Sequence, residues 1–501
     1  VILQRKNCVI RADGSLTLGG GHIYRCLVLA DALTERGWRC HFAIREETLG
    51  IVPKLGRLSH KLIVLDGNVE DEPHAIACHF ASGIDLLVVD HYFRDEPFER
   101  ALRNVASRIL VIEDLVGRNH CCDILFDQTN KRRPADSGAL TDRLNLLGCT
   151  NALVRPSFAR RRLFGEARPR SGQPRHILIQ AGASDPCRLA LPLAAMARTA
   201  FPESRMDIVL GSSSPSLDET AAFAAAHAQT VRLHVDSDHM DGLMSAADLM
   251  VGAAGSSCWE ACCLGLPSVL VRIADNQRPV VQGLTEEKAA LFLGDKDDFL
   301  AASPQERLAR LDPGSLDLEL MSLNARRLCD GLGVRRLLLA LEPEIAKRNQ
   351  KVRLRPVTPE DSPLIFAWQQ NPATRRYFRN KDVPTKEGHE KWFSQRIVSN
   401  LGPYCLVLAD ETPAGTVRLD RVADRQRDSA IPAFEVSLVT APDQRGQGIG
   451  TAALRAARRL VPEADMVAYI EPANTASIRS FEMSGFQRDG GDWMRLFAGM
   501  P

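Results

Sequence analysis

The chain has 501 residues, 45% hydrophobic and 25% charged, and its 63 Lys plus Arg against 62 Asp plus Glu give a formal net charge of +1. That length exceeds what one hydrophobic core serves, so two to four domains are expected, with the composition of folded protein rather than disorder. The balanced charge excludes a general nucleic-acid binder, whose phosphate contacts need a basic excess, and no apolar run approaches the roughly 20 residues that span a bilayer.

The first stretch, "VILQRKNCVIRADGS", carries charges inside any apolar segment and no small-residue cleavage site, so no signal peptide is expected and the reading is cytoplasmic. From residue 7 to about 165, short apolar runs alternate with helical patterns. "CVIRA" reads as a strand, followed by the loop "LTLGGGH" and a helix with Ile23, Cys26, Leu27, Ala30 and Leu33 on one face. "CHFAI", "KLIVL", "DLLVVD" and "RILVIED" read as further strands covered on both sides. The Pro/Arg/Gly-rich "GEARPRSGQPR" (residues 165–175) reads as a linker. A second alternating series follows in "HILIQAG", "MDIVLGS", "VRLHV", "DLMVGAAGSS", "PSVLVRI" and "AALFLG". Two such halves make two mostly parallel sheets with a cleft between them, and ligands in these sheets bind beyond the carboxyl ends of the strands.

After about residue 345 the pattern becomes α+β. "KVRLRPVTPED" is a strand and turn leading into a helix near Pro359, and "KEGHEKWFSQRI" is a second helix. "YCLVLAD", "GTVRLDRV" and "AFEVSLVT" read as antiparallel strands, and a glycine-led helix then runs to a last strand, "DMVAYIE". The expected domains are 1–170, 171–345 and 346–501. The 13 cysteines contain no CxxC, and Cys121–Cys122 and Cys262–Cys263 are adjacent pairs without a second ligand pair at zinc spacing. They read as free, mostly buried thiols, and no metal is expected.

Two glycine-rich strand-to-helix turns are candidate anion sites, because the first amides of a helix lack partners and carry partial positive charge. One is Gly19-Gly20-Gly21-His22, the other Gly252 to Glu260. His22 opens its helix, where the macrodipole disfavours the imidazolium and leaves a neutral ring able to accept a proton. A histidine packed beneath the loop is the competing reading. Asp13 and His91 are further cleft candidates, with loop hydrogen bonding an equal alternative for each.

The segments "RADGSLTLGGGHIYRCLVLADAL", "LLVVDHY", "VIEDLVGRNHCCDILFDQ", "LLGCTNALVRPSFARRR", "AGASDP", "AADLMVGAAGSSCWEACCLGLPSVLV" and "ADNQRP" resemble the UDP-sugar hydrolase family of the pseudaminic acid pathway. The resemblance implies two Rossmann-like domains in a GT-B-like arrangement. It also implies hydrolysis of UDP-2,4-diacetamido-2,4,6-trideoxy-β-L-altrose. On that likeness His22 is the base of the GxGHxxR motif, with Arg25 and Gly19 to Gly21 in the substrate loop and Asn276 and Gln277 in the sugar-binding DNQ motif. By analogy with related UDP-sugar enzymes, Gly255 and Ser256 meet the diphosphate and Glu260 the ribose. Where the family pattern leads one to expect Gly-Gly-x-Asp-Pro, this chain has Ala181-Gly182-Ala183-Ser184-Asp185-Pro186. The alternatives in other classes are a glycosyltransferase of the same architecture and a non-catalytic sugar-nucleotide binder.

In the last domain, Arg445-Gly446-Gln447-Gly448-Ile449-Gly450 resembles the R-x-x-G-x-G loop of GNAT acetyltransferases, whose successive amides bind the pyrophosphate of acetyl-CoA. "NTASIRSFEMSGF" resembles the closing segment of that family, which assigns Asn474 and Ser477 to the cofactor, while Val436 and Leu438 on "FEVSLV" would line pantetheine. "FAWQQNPATRRYF" and "HEKWF" further resemble the acetyltransferase acting one step earlier in the same pathway, on the 4-amino group of a UDP-amino-sugar. Glu435 is the candidate base, with a surface strand carboxylate as its competing reading. Phe481 stands where many GNAT enzymes have the tyrosine that protonates the leaving thiolate, so another acid, or release of CoA as a thiolate, is required.

Overall fold

The structure is a computed structural model that describes every residue except 1–4, 16–18, 116, 130–142, 166–167, 183, 400, 423–430 and 501. Leu16 to Leu18 of the first glycine loop, Val116, the linker residues Glu166 and Ala167, and Ala183 of the altered turn therefore lie outside the described residues. The chain forms two compact units, residues 1–334 and 335–501.

The first unit contains two parallel sheets. In the first sheet the strands are β1 (Asn7–Ala12), β2 (Arg39–Ile44), β3 (Lys61–Val64), β4 (Leu86–Asp90), β5 (Ile109–Ile112), β6 (Ile124–Asp127) and β7 (Leu144–Leu147). Their order is β3-β2-β1-β4-β5-β6-β7. The second sheet holds β8 (His176–Gln180), β9 (Arg205–Leu210), β10 (Val231–Val235), β11 (Leu249–Ala253), β12 (Ser268–Arg272) and β13 (Ala290–Asp295), ordered β10-β9-β8-β11-β12-β13. Each is a doubly wound Rossmann-like order that reverses beside its first strand, between β1 and β4 and between β8 and β11. Crossovers pass in opposite directions there, leaving a crevice at the strands' carboxyl ends. β4 and β5 are buried at every position, as strands covered by helices on both faces must be.

The halves are tied together by more than a hinge. The helix Pro156–Phe164 packs against the helix Ser257–Leu264, and Arg162 donates to the carbonyls of Cys263, Cys329 and Arg326 at 2.9–3.0 Å. Arg170, inside the stretch read as a linker, is buried and donates to Leu264 O at 2.8 Å, Gly265 O at 3.0 Å and Ala247 O at 3.1 Å. Composition alone missed this role, because a guanidinium fork satisfies carbonyls left open at helix C-termini. Cys262 and Cys263 lie in the core of the second half with Cys149, Cys258 and Cys329.

The second unit is built on a sheet of β14 (Glu344–Ile345), β15 (Lys351–Pro356), β16 (Tyr404–Ala409), β17 (Thr412–Val422), β18 (Ala433–Thr440), β19 (Asp465–Tyr469), β20 (Gln487–Arg488) and β21 (Trp493–Leu496). The order is β14-β15-β16-β17-β18-β19-β21-β20, antiparallel except for β18 with β19. The strand "DMVAYIE" is thus not the last. β21 pairs with it, and its sequence, "WMRL", is too short to announce a strand by alternation. β18 and β19 register over three pairs only, Ala433 with Asp465, Phe434 with Met466 and Glu435 with Val467. Beyond Glu435 the remaining five residues of β18 have no strand partner on that side among the described residues, so a wedge opens in the middle of the sheet. The helix Ile449–Leu460 follows from this wedge, and the helices Ser362–Gln370 and Lys386–Val398 lie where the sequence placed them. A capping box between Thr358 and Asp361 starts the short helical turn Pro359–Asp361 that leads into the helix Ser362–Gln370.

Candidate active sites

In the first half, the crevice between β1 and β4 gathers His22, Arg25, Asp90, Tyr92 and Asp114. Gly19, at φ 69°, turns the chain through the left-handed region, and Gly20 caps the helix Gly21–Glu35 where a Cβ would stand 2.9 Å from Val52 Cγ2. A Cβ on Gly21 would meet nothing within 4 Å, which leaves open space before the helix end. His22 follows, 4% exposed, with Nδ1 at 2.5 Å from Asp90 Oδ1 and its ring edge-on to Tyr92. Burial acts to raise the Asp90 carboxyl, but Arg25 and His22 outweigh it and hold that group well below the usual carboxylate range. An ionised carboxylate only accepts, so His22 Nδ1 carries a proton and, in the neutral ring, the lone pair sits on Nε2. Nothing in the helix end itself points to Asp90, which lies 68 residues further along the chain.

Arg25 is committed to carboxylates. It donates Nε and Nη2 to Asp90 at 2.6 and 2.5 Å and Nη1 to Asp114 at 2.8 Å. Its role in this geometry is to bracket the His22 partner. Tyr92 OH donates to Asp114 Oδ2 at 3.1 Å and accepts from Asn276 Nδ2 at 2.7 Å, so Asn276 reaches across from the second half. Asp90, Tyr92 and Asp114 were missed as site residues. The available signal was their position, since Asp90 ends β4 and Asp114 lies just past β5, at the carboxyl edge where such sheets bind ligands.

Asp13 and His91 belong to a neighbouring buried network. His91 Nδ1 accepts from Phe93 N at 3.0 Å and Nε2 donates to Asp13 Oδ2 at 3.1 Å, so both ring nitrogens are used. Asp13 also accepts from Arg11 Nη2 at 2.7 Å and Arg45 N at 2.8 Å. Burial would raise its carboxyl, yet His91, Arg11 and the Arg45 amide together lower it. Glu72 takes bonds from Arg11, Arg45 and Arg94 and is held at about 2, burial being outweighed by Arg94 and Arg11.

In the second half, Gly255 and Ser256 stand at the carboxyl end of β11, directly before the helix Ser257–Leu264. A Cβ on Gly255 would meet nothing within 4 Å, so the loop has room on its outer side. Glu260 is paired with Arg155, Oε1 to Nε at 2.6 Å and Oε2 to Nη2 at 2.9 Å, and a ribose contact would have to share these oxygens. Gln277 Oε1 accepts from Ile273 N at 2.9 Å and closes the short helical turn Asp275–Gln277 that carries Asn276.

The second unit has its own site around the wedge. Gly446 and Gly448 adopt φ 75° and 80°, and Gly448 caps the helix Ile449–Leu460. Among the described residues, no main-chain carbonyl accepts from the amides of Gly446, Gln447, Gly448, Ile449 or Gly450. Such a run of open donors at a helix start fits a pyrophosphate. The loop is held from outside the helix, with Lys347 N on Gln447 O at 2.9 Å, Lys347 Nζ on Gly446 O at 3.0 Å and Arg445 on Thr374 Oγ1. Val436 and Leu438 lie on the part of β18 that faces the wedge, and Glu435 ends its paired part. Asn474 Oδ1 accepts from Ser477 N at 3.2 Å and caps the helix Thr475–Glu482. Phe481 is buried edge-on against Phe486, so a core contact has taken the place of a hydroxyl.

Residues 351–487 match the acetyltransferase (GNAT) domain family, and this part of the chain is a GNAT acetyltransferase domain. Three relatives match further. An uncharacterized protein of Methanocaldococcus jannaschii is 22% identical over 396 residues, 77% of this chain and 78% of that protein. The UDP-2,4-diacetamido-2,4,6-trideoxy-beta-L-altropyranose hydrolase of Campylobacter jejuni is 25% identical over 285 residues, 56% of this chain and 96% of the hydrolase. The spore coat polysaccharide biosynthesis protein SpsG of Bacillus subtilis is 23% identical over 295 residues, 57% of this chain and 83% of that protein. Among the described residues, no helix is long and apolar enough to cross a membrane.

Proposed function

We propose that the chain is a bifunctional nucleotide-sugar enzyme. Its first unit hydrolyses a UDP-linked 2,4-diacetamido-2,4,6-trideoxy sugar to UDP and the free sugar. Its GNAT domain acetylates the 4-amino group of the precursor UDP-sugar. The observation that carries the hydrolase reading is the buried His22–Asp90 pair, with the His22 lone pair on Nε2, at the switch point of a Rossmann sheet. The likeness to the Campylobacter hydrolase supports the same reading.

UDP is a good leaving group, so the step needs an activated water more than a strong acid. His22 Nε2 takes a proton from water as the oxygen attacks the anomeric carbon. The bond from that carbon to the diphosphate oxygen breaks, and UDP departs. Asp90 stabilises the imidazolium so formed and fixes its orientation. The first amides of the helix Ser257–Leu264, with the Gly255–Ser256 loop before them, would face the diphosphate, and Asn276 would face the sugar. In the GNAT domain, the amides of Gly446 to Gly450 would hold the pyrophosphate of acetyl-CoA, which supplies the acetyl group. Glu435 accepts the proton that the acceptor nitrogen must lose.

Incubating the protein with the UDP-diacetamido sugar alone, followed by phosphorus NMR, tests the hydrolase. UDP should appear with no added acceptor. Release that begins only when an acceptor is supplied would make the first unit a glycosyltransferase instead.

A further inference from the structure

Arg379 stands over the GNAT sheet at the point where β18 and β19 separate. Its Nη2 lies 2.8 Å from Glu435 Oε1. Its guanidinium carbon lies 4.7 Å from the centre of the Tyr469 ring and 5.2 Å from that of Trp493. The two rings meet edge to face at 5.8 Å, and their residues are directly opposite in the β19–β21 ladder. Glu435 and Val467 are likewise opposite, and Tyr469 is two residues beyond Val467. Glu435, Tyr469 and Trp493 therefore project from one face of the sheet. One carboxylate and two aromatic rings around a small cation are the chemistry that recognises an ammonium or guanidinium group.

The occupant comes from the chain itself. Arg379 lies between the helices Pro372–Arg375 and Lys386–Val398, and two residues on, Lys381 pairs with Glu471 at 3.5 Å. The segment is thus strapped to the sheet by two ion pairs, both partly exposed. The Arg379 side chain is 52% exposed and the Glu435 side chain 27%. Screened pairs of this kind exchange readily with a competing cation.

We propose that Glu435, Tyr469 and Trp493 form the cation-recognising end of the acceptor subsite, and that Arg379 fills it until the ammonium of an incoming amine takes its place. This deepens the amine-acetyltransferase reading above and rests on it. It says where the ammonium of the amine is held before its proton is lost, and it makes Arg379 a built-in competitor. A hydroxyl acceptor brings no charge with which to displace it, so the site selects nitrogen over oxygen.

The test uses the full chain with Arg379→Ala. With acetyl-CoA and the UDP-amino-sugar, KM for the amine should fall about fivefold while KM for acetyl-CoA stays unchanged. Millimolar guanidinium chloride should then compete with the amine in the variant far more than in the unmodified protein. A second readout needs no acceptor. Guanidinium titration should change tryptophan fluorescence in Arg379→Ala, and the change should vanish when Trp493→Phe is added. A KM for the amine that rises or stays constant, or a fluorescence response independent of Trp493, overturns the proposal. Absence of turnover with the UDP-amino-sugar alongside a Trp493-dependent response instead overturns the choice of sugar and leaves the cation subsite standing.

Discussion

Asp90 determines which nitrogen of His22 can act, because an ionised carboxylate at 2.5 Å requires a proton on Nδ1. Replacing His22 with Asn removes the base while leaving a small polar side chain, and kcat for UDP release should fall about 10²-fold or more with little change in melting temperature. Asp90→Asn should lower both. It takes away the partner that orients His22 and also the buried counter-charge of Arg25, whose loss costs on the order of 3–5 kcal/mol, moderated here by the remaining pair with Asp114. Parallel stopped-assay kinetics and thermal melts on the two variants separate a proton acceptor from its positioning partner, and a stable Asp90→Asn protein with normal kcat would contradict the assignment. His22 stands out in the sequence as a candidate because a glycine loop, a helix start and a resemblance converge on it. Asp90 was not, since it lies 68 residues away and only the adjacency of β1 and β4 brings the two together. The same holds for Arg155, which reaches Glu260 from 105 residues away.

At the scale of elements, some of the strands that the sequence announced, β4 and β5 among them, are buried on both faces, where an unbroken apolar run is the only pattern available. β14 and β20 have two residues each, too few for a run or an alternation to stand out, and β6, β7 and β21, with four residues each, also went unread. One connection between elements also carries a pH-dependent load. His120, between β5 and β6, is buried with Nδ1 at 2.6 Å from Glu99 Oε1 and Nε2 at 2.9 Å from Glu113 Oε2. Burial alone would lower the ring, but Glu113 and Glu99 outweigh it and raise it to about 9. The folded value exceeds the ordinary value of about 6.5, so the imidazolium contributes its full stability below that pH. The contribution, about 3 kcal/mol, declines as pH rises from about 6.5 and is gone above about 9. Urea unfolding of the first unit's transition at intervals from pH 6 to 10 should show that decline, and His120→Gln should flatten it while lowering stability most at pH 6. An unchanged slope in the variant would assign the pH dependence to other groups.

For the whole molecule, the division into residues 1–334 and 335–501 means that each proposed chemistry is complete within one compact unit. His22, Asp90, Asn276 and the Gly255–Ser256 loop belong to the first unit, and Glu435 and the 445–450 loop to the second. From the sequence such an allocation is an expectation, with the change from parallel alternation to an α+β pattern set near residue 345, because sheet type is written in the order and length of connections. Two changes, one in each unit, test whether the activities are separable. Gly448 holds φ 80°, and a Cβ there would also stand 3.3 Å from Lys347 N and Cγ, so Gly448→Val strains the turn and distorts the amide run. Acetyl transfer should drop by at least about 10²-fold, as removal of preorganised donors predicts. UDP release from a supplied diacetamido sugar should stay within about twofold in the same protein. His22→Asn should give the converse. Supplied with the 4-amino-sugar and acetyl-CoA, Gly448→Val should then accumulate neither acetylated intermediate nor free sugar, whereas His22→Asn should accumulate the acetylated UDP-sugar and stop there. Free diacetamido sugar appearing in the His22→Asn reaction at the unmodified rate would remove the base from the first unit, and with it the division of labour between the two.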